Sequence, residues 1–179
     1  MFPCQLVPTP RISALAMMTI LAVTVARVSP ALGQFSPQDQ KIIGEYRLTQ
    51  PTFSKFAKAT ENYIAVLKDD PSLLKQFRDE ASEQSEEAAG APAFSIDGIA
   101  SDFERLPALR RAITSAGLTP REFATISLAA AFANLARHSL EQGSTKPSAV
   151  ERDNIELLKK NEAEVTRLNK LTMWLEQTN

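Results

Sequence analysis

The feature of this sequence that most restricts its fold is a repeated pattern that begins α-helices. At Thr119–Glu122 a capping residue is followed by proline at the first helical position and by glutamate at the third, the order that satisfies the free N–H groups of a helix start. Ser148–Glu151 repeats this capping box, and Ser36–Pro37 and Asp70–Pro71 each join a capping residue to a proline. The chain therefore predicts a series of well-delimited helices.

Apolar residues recur at helical spacing between these starts. One stripe predicts an amphipathic helix over residues 52–68, and it consists of Phe53, Phe56, Tyr63, Ile64 and Leu67. Shorter helices are predicted over residues 37–47, from Pro71 onward, from a cap at Ser95 or Asp97 through Leu106, and from Pro107 to Gly117. Gly117 and Gly143 stand where helix C-caps are expected.

The segment 119–142 differs from the others because it is apolar on nearly every side. Its large residues, Phe123, Ile126, Leu128, Phe132, Leu135 and Leu140, point in several directions and are separated by alanines. A helix of this kind belongs at the centre of a domain. The C-terminal segment 148–176 carries its own apolar stripe, so we expect it to pack along this central helix.

The fold class predicted from these patterns is all-α. No strand-like alternation separates the helical segments. Because the connections between helices are short, we expect an irregular antiparallel bundle of three or four long helices with two or three short ones. Residues 34–179 are predicted to form a single domain, with an acidic connection containing proline and glycine near residues 79–95.

The first 33 residues have the composition of a cleavable signal peptide. They contain no acidic residue, and Arg11 precedes an apolar run of 15 residues, 12–26, which is followed by Pro30 and the small-residue pattern Ala31–Gly33. Cleavage is predicted between Gly33 and Gln34. The alternative of a retained anchor needs an apolar run of about 20 residues. A lipoprotein is not predicted, because Cys4 precedes the run.

The predicted mature chain has no cysteine and little net charge. Disulfides, thiolate metal sites and cysteine nucleophiles are therefore excluded from it. Removing Arg11 and Arg27 from 20 basic residues leaves 18 against 21 acidic ones, a formal charge of −3. Such a surface has no electrostatic attraction for nucleic acid, and no membrane span is predicted after cleavage. We expect export to the periplasm or the medium.

One stretch of the sequence is similar to a known group of proteins. The run Ala116–Phe123, the alanine-rich helix after it and the later run Asn154–Leu158 resemble a loose group of small exported bacterial proteins of unknown function. The likeness covers the second half of the predicted mature chain. It implies a helical, periplasmic or secreted protein and implies no catalytic residue.

Catalytic motifs are absent from the sequence, and we predict no catalytic residue, cofactor or metal site. His138 is the only histidine, and it suits the C-terminal end of the central helix. The alternative is that His138 and Met173 ligate a haem iron. The acidic residues Asp79, Glu83 and Glu86 or Glu87 share a helix face, where they form either a solvated helix end or a site for a hard cation such as Ca²⁺.

Basic residues are concentrated in one place, at Arg110 and Arg111, with Arg105 and Arg121 nearby. They complement helix C-termini, or they receive an acidic partner or a phosphate at the Thr119 helix start.

Two hypotheses of function follow from the sequence. The first is a non-catalytic interaction or structural module of the bacterial cell envelope, in contact with a protein partner that the sequence does not identify. The alternative is a helical bundle that binds a small apolar ligand or cofactor, such as a lipid or haem, in a cavity lined by aromatic side chains. The candidates for that lining are Phe53, Phe56, Tyr63, Phe123 and Phe132.

Overall fold

The fold is known from a computed structural model, which describes residues 35–77, 95–143 and 146–177. The elements in these ranges are α-helices, so the predicted fold class is confirmed. They are α1 (Pro37–Glu45), α2 (Gln50–Asp69), the helical residues 71–77, α3 (Ile96–Arg105), α4 (Pro107–Thr114), α5 (Pro120–Glu141), α6 (Ala149–Lys160) and α7 (Glu162–Gln177). The predicted signal peptide and the acidic connection, apart from Ser95, lie outside the described residues.

The helix starts predicted at Ser36, Thr119 and Ser148 are confirmed. Ser36 caps α1 by accepting a hydrogen bond from the Asp39 amide at 3.0 Å, and Thr119 and Ser148 begin α5 and α6 with complete capping boxes. The cap of α3 is Ser95, whose hydroxyl accepts from the Gly98 amide at 2.9 Å. Side-chain caps therefore fix where these helices begin.

Glycine ends two helices in the positions predicted. Gly117 follows α4 with a φ of +78°, and Gly143 follows α5 with a φ of +72°. Residues with a side chain rarely adopt this left-handed conformation, so glycine is the natural residue after a helix end.

The α5 cap links stability to pH through Glu122. Its carboxylate accepts from the Thr119 amide at 2.8 Å and from the Thr119 hydroxyl at 2.9 Å. These hydrogen bonds lower the pKa of Glu122, and the backbone bond contributes most. Because the folded-state pKa lies below the unfolded one, this stabilisation is present above the ordinary carboxyl pKa and is lost as the pH falls through the folded value.

We therefore expect acidification from pH 7 to about pH 3 to lower the urea midpoint of the wild type more than that of Glu122→Gln. Glutamine keeps an acceptor for the Thr119 amide but does not titrate. The midpoints of both proteins, measured across this range, test the prediction. Equal dependence on pH would contradict it.

The main hydrophobic core contains a connected set of aromatic rings. Phe123 of α5 lies 5.3 Å from Phe56, 5.6 Å from Tyr63 and 5.3 Å from Phe103, measured between ring centroids. Phe53 and Phe77 extend the set at its two ends. All six side chains are buried, and burial raises the pKa of Tyr63 far above its usual range. Rings from α2, α3, α5 and residues 71–77 thus join these helices in one core.

A second, smaller hydrophobic cluster lies where α1, α3 and α5 meet. Its buried members are Phe35, Ile43, Ile96, Ala100, Ala124 and Leu128. Phe132 is half-buried against this cluster, with its ring 5.8 Å from that of Phe35 in an edge-to-face arrangement. Phe35 thus extends the packed domain to the residue before the α1 cap.

Helix α2 has neighbours that run in opposite directions. Toward α4 the pairing is antiparallel: Asn62 donates to the Ala112 carbonyl at 3.2 Å, and the Lys55 side chain lies over Gly117. Toward α7 the pairing is parallel, because contacts advance together along both helices. These contacts are Gln50–Asn161, the Glu61–Arg167 ion pair, and Lys68 above the ring of Trp174 at 5.2 Å. The parallel pairing departs from the all-antiparallel expectation, and it arises because no short connection joins α2 to α7.

The C-terminal segment is broken at Asn161, and its prediction is corrected here. A single helix along the central helix was expected from residues 148–176. Instead α6 packs against α5, whereas α7 packs against α2. The Asn161 amide donates to the Leu157 carbonyl at 2.9 Å and exchanges two hydrogen bonds with the amide of Gln50, at 2.9 and 3.0 Å. These bonds hold the break against the start of α2.

The linker between α1 and α2 is held by Asn154 of α6. The buried Asn154 side chain accepts from the Leu48 amide at 2.8 Å and donates to the Tyr46 carbonyl at 2.9 Å. Asp153 forms an exposed ion pair with Arg47 of the same linker. The Asn154 side-chain amide thus provides hydrogen-bond partners for two backbone groups of the linker, which is not helical and has no helical partners for them.

Thr60 of α2 is buried, and its hydroxyl oxygen has no hydrogen-bond partner. Replacing Thr60 with valine, which has nearly the same shape, should raise the free energy of unfolding by about 1 kcal/mol because the buried hydroxyl is removed. Thr125→Val is a matched control, since the buried Thr125 hydroxyl donates to the Arg121 carbonyl at 2.9 Å. Urea unfolding of both variants tests the prediction, and stabilisation of both or of neither would contradict it.

Candidate interaction surface

Helix α5 is enclosed over its N-terminal half. Pro120, residues 123–126 and residues 128–130 are buried there. Helix α5 contacts α1, α2, α3, α4 and α6. This half of the helix fits the central position that its composition predicts.

Enclosure ends at Ala133, although the helix continues for two more turns. Residues 134–139 are half-buried, and Leu140 is 39% exposed. Ala136 still packs against the main core, and Phe132 packs against the second cluster, whereas Leu135 belongs to neither. The sequence predicted a helix at the centre of the domain, and the C-terminal half of α5 is less enclosed than its N-terminal half.

Leu135 and Leu140 are five residues apart and therefore point about 140° apart around the helix. We call the C-terminal end of α5 that carries them, residues 135–140, the distal α5 face. Ser139 donates to the Leu135 carbonyl at 3.1 Å, so its hydroxyl is turned back to the helix. The sequence pattern did not separate these two leucines from core leucines, because burial depends on which helices end beside them. Leu140 is the only large hydrophobic residue that is exposed within the described ranges.

Charged side chains border the distal α5 face. Arg137 lies 3.3 Å from Glu141 and 3.0 Å from Glu162 at the start of α7, measured between the paired nitrogen and oxygen atoms. These carboxylates raise the pKa of the Arg137 guanidinium. The Nδ1 atom of His138 lies 3.4 Å from a carboxylate oxygen of Glu141. Partly exposed apolar side chains with charged neighbours are the usual make-up of a protein-binding surface.

The structure does not bring together the proposed haem ligands. His138 lies next to Arg137, which pairs with Glu162 at the start of α7. Met173 lies three turns further along that helix, about 16 Å from Glu162 by the rise of an α-helix. It is half-buried near Trp174, at the opposite end of α7. The pair therefore gives no support to haem binding.

The aromatic residues proposed to line a cavity divide between the two clusters. Phe53, Phe56, Tyr63 and Phe123 contact one another in the main core, with 5.3 to 6.3 Å between the centroids of neighbouring rings. Phe132 belongs to the second cluster. The four core rings fill the space between their helices with their own contacts.

The four clustered arginines noted in the sequence, Arg105, Arg110, Arg111 and Arg121, are exposed, and Arg121 forms an ion pair with Asp97. The phosphate-binding alternative at the Thr119 helix start is disfavoured, because the Glu122 carboxylate already occupies the Thr119 amide and hydroxyl. Arg105, Arg110 and Arg111 remain on the surface of α3 and α4.

The acidic residues Asp79 to Glu87, for which a cation site was the alternative to a solvated helix end, lie outside the described residues. Within the ranges that are described, no three histidine, cysteine, aspartate or glutamate side chains are grouped so that they could hold a metal ion. None of the described helices combines the length and the apolar character that crossing a membrane requires.

Comparison of the chain with protein-family models, with curated proteins and with solved structures finds no match.

Proposed function

We propose that the protein is a non-catalytic interaction module of the bacterial cell envelope, exported with its N-terminal segment removed. The distal α5 face carries this proposal. Apolar side chains on a folded surface lower the free energy of a complex when a partner covers them. The partner is a protein with an apolar groove that receives the end of α5, because Leu135 and Leu140 project from different sides of one helix.

The rest of the domain supports this proposal in two ways. The aromatic rings of the main core are occupied with contacts to one another, Arg137 and His138 pair with carboxylates, and the Glu122 carboxylate belongs to a helix cap. The distal α5 face carries Leu140, the one large hydrophobic residue that is exposed within the described ranges, and Leu135, which belongs to neither hydrophobic cluster. Its charged border excludes partners with the wrong charge pattern.

Site-specific photo-crosslinking in the cell envelope of the native host tests the proposal. A photoreactive residue at the exposed position Gln142, two residues after Leu140 at the end of α5, should give a reproducible protein adduct. Leu140→Lys should abolish that adduct, while changing the free energy of unfolding by less than about 0.5 kcal/mol because Leu140 is exposed. A photoreactive residue at the exposed Ala163 of α7 is the control.

Equal adducts at both positions, or an adduct that survives Leu140→Lys, would contradict the proposal. Native mass spectrometry of protein taken from the same host compares it with the ligand-binding alternative. We expect a mass beginning at Gln34 with no added ligand. A bound lipid or haem would replace the interaction proposal with ligand binding.

A further inference from the structure

The break between α6 and α7 is not caused by a helix-breaking residue. No proline or glycine lies between Ser148 and Gln177, and every residue from 149 to 177 except Asn161 is helical. Asn161 has a φ of −110° and a ψ of 26°, compared with about −63° and −42° in an α-helix. A change in the two backbone angles of one residue therefore separates the observed break from one continuous helix.

Contacts with a distant part of the chain hold this break. The Asn161 side chain exchanges two hydrogen bonds with Gln50 at the start of α2 and donates to the Leu157 carbonyl. Within the part of the chain that the structure describes, its oxygen accepts from Gln50 and not from the first turn of α7. In a continuous helix, the amides of that turn would instead donate to the carbonyls at the end of α6. The local sequence thus favours a straight helix, which the fold bends.

Helix α7 fits its site on α2 through contacts that any copy of the chain can supply. It packs chiefly on α2 and buries Val165, Leu168 and Leu175. The ion pair between Glu61 and Arg167 lies beside these residues, and a cation–π contact lies near the C-terminal end of α7. Because the same α2 surface is present in every copy, it can receive the α7 of a second copy through the same contacts.

We propose that two copies of the chain exchange α7, each by straightening at Asn161. In the exchanged dimer α6 stays on its own α5, and α7 occupies the α2 surface of the other copy. The contacts between α2 and α7 are remade between chains, and helical hydrogen bonds replace the Gln50 contact at the break. Because association costs translational and rotational entropy, the dimer forms at high protein concentration. The exchange goes beyond the proposed function and needs neither Leu135 nor Leu140.

Replacing Asn161 with alanine should raise the association constant of the dimer by about tenfold or more. Alanine favours the helical conformation over asparagine by about threefold at each of the two breaks, and it cannot bond to Gln50. The purified full chain, refolded from urea at high concentration, is measured by size-exclusion chromatography with light scattering. Thr166→Ala is the matched control, because it adds a similar helix preference at an exposed residue that is helical in both forms.

Adding Ala163→Pro to Asn161→Ala should return the protein to the monomer. Proline is accepted at the second residue of a helix, as Pro51 is in α2. Within a continuous helix it has no amide to donate, and its ring clashes with the preceding turn. A monomeric Asn161→Ala protein, an equal rise with Thr166→Ala, or a double variant as dimeric as Asn161→Ala would each overturn the proposal.

Crosslinking identifies the exchanged helix. In a Cys4→Ser background that also carries the alanine at the break, chains with Glu61→Cys are refolded together with chains with Arg167→Cys. Because these two residues form an ion pair between α2 and α7, a short bismaleimide should join the two kinds of chain. Lys170→Cys replaces Arg167→Cys in the control, since the exposed Lys170 lies about 200° around α7 from the buried Leu168. Equal crosslinking of both pairs would show a different dimer interface and would overturn the proposal.

Discussion

Replacing Phe123 with alanine should lower the free energy of unfolding by about 3 to 5 kcal/mol, the usual cost of deleting a buried phenylalanine ring. Phe123 is 1% exposed and contacts three other rings, those of Phe56, Tyr63 and Phe103. Its loss leaves a cavity between α2, α3 and α5, Tyr63 and Phe103 lose edge-to-face contacts, and Phe56 loses a tilted ring contact. Urea unfolding followed by circular dichroism measures the change.

Phe132→Ala is the control in the same helix. Phe132 is half-buried and has one aromatic partner, so its replacement should cost less than half as much. Similar losses in the two variants would contradict the central role assigned to Phe123. Phe123→Leu should recover part of the loss, because leucine refills much of the cavity.

Replacing Asn154 with alanine should lower the free energy of unfolding by about 2 to 4 kcal/mol. The change leaves the Leu48 amide and the Tyr46 carbonyl without their partner, and neither lies in a helix that could supply another. A buried backbone group without a hydrogen bond costs much of its solvation free energy. Denaturant unfolding measures the loss.

Asp153→Ala is the matched control, because Asp153 is the next residue and contacts the same linker through Arg47. Both partners of that ion pair are exposed, so the expected cost is below about 1 kcal/mol. A larger loss from Asp153→Ala than from Asn154→Ala would show that the linker is held by the ion pair. Asn154→Asp should also destabilise, since a carboxylate cannot donate to the Tyr46 carbonyl.

Local signals in the sequence were sufficient to place the helices. The caps at Ser36, Thr119 and Ser148 act within three residues of themselves, so their effect is visible without the rest of the fold. The glycines at the ends of α4 and α5 are local in the same sense. The start of α2 was missed by two residues, because its cap is a threonine pair, Thr49 and Thr52, that no glutamate marks.

Features that depend on distant residues were not predicted. The break at Asn161 has no proline or glycine and is held by Gln50, 111 residues earlier. Asn154 and Asn161 lie seven residues apart on the same side of the C-terminal segment as the buried Ile155 and Leu158. Polar amides within an apolar stripe were the available signal that this helix meets backbone groups and not only side chains.

For the candidate interaction surface, the sequence showed the apolar residues of α5 but not which of them are exposed. Leu135 and Leu140 resemble the core residues of α5 in the sequence, because hydrophobicity does not reveal where the neighbouring helices stop. The aromatic residues were correctly expected inside the fold. Their division into two clusters follows from how α1 and α3 pack on α5, which periodicity within one helix does not determine.

The parallel contact of α2 with α7 has a consequence for the time course of folding. The contacts between these helices join residues more than 100 positions apart, from Gln50–Asn161 to Lys68–Trp174. A chain that emerges from its N-terminus exposes the α7-facing side of α2 until α7 has been synthesised, and closing so long a loop slows the search for native contacts. The domain therefore reaches its native packing only when α7 docks on α2. Until then the uncovered apolar side of α2 in a nascent chain is prone to aggregation unless a chaperone binds it.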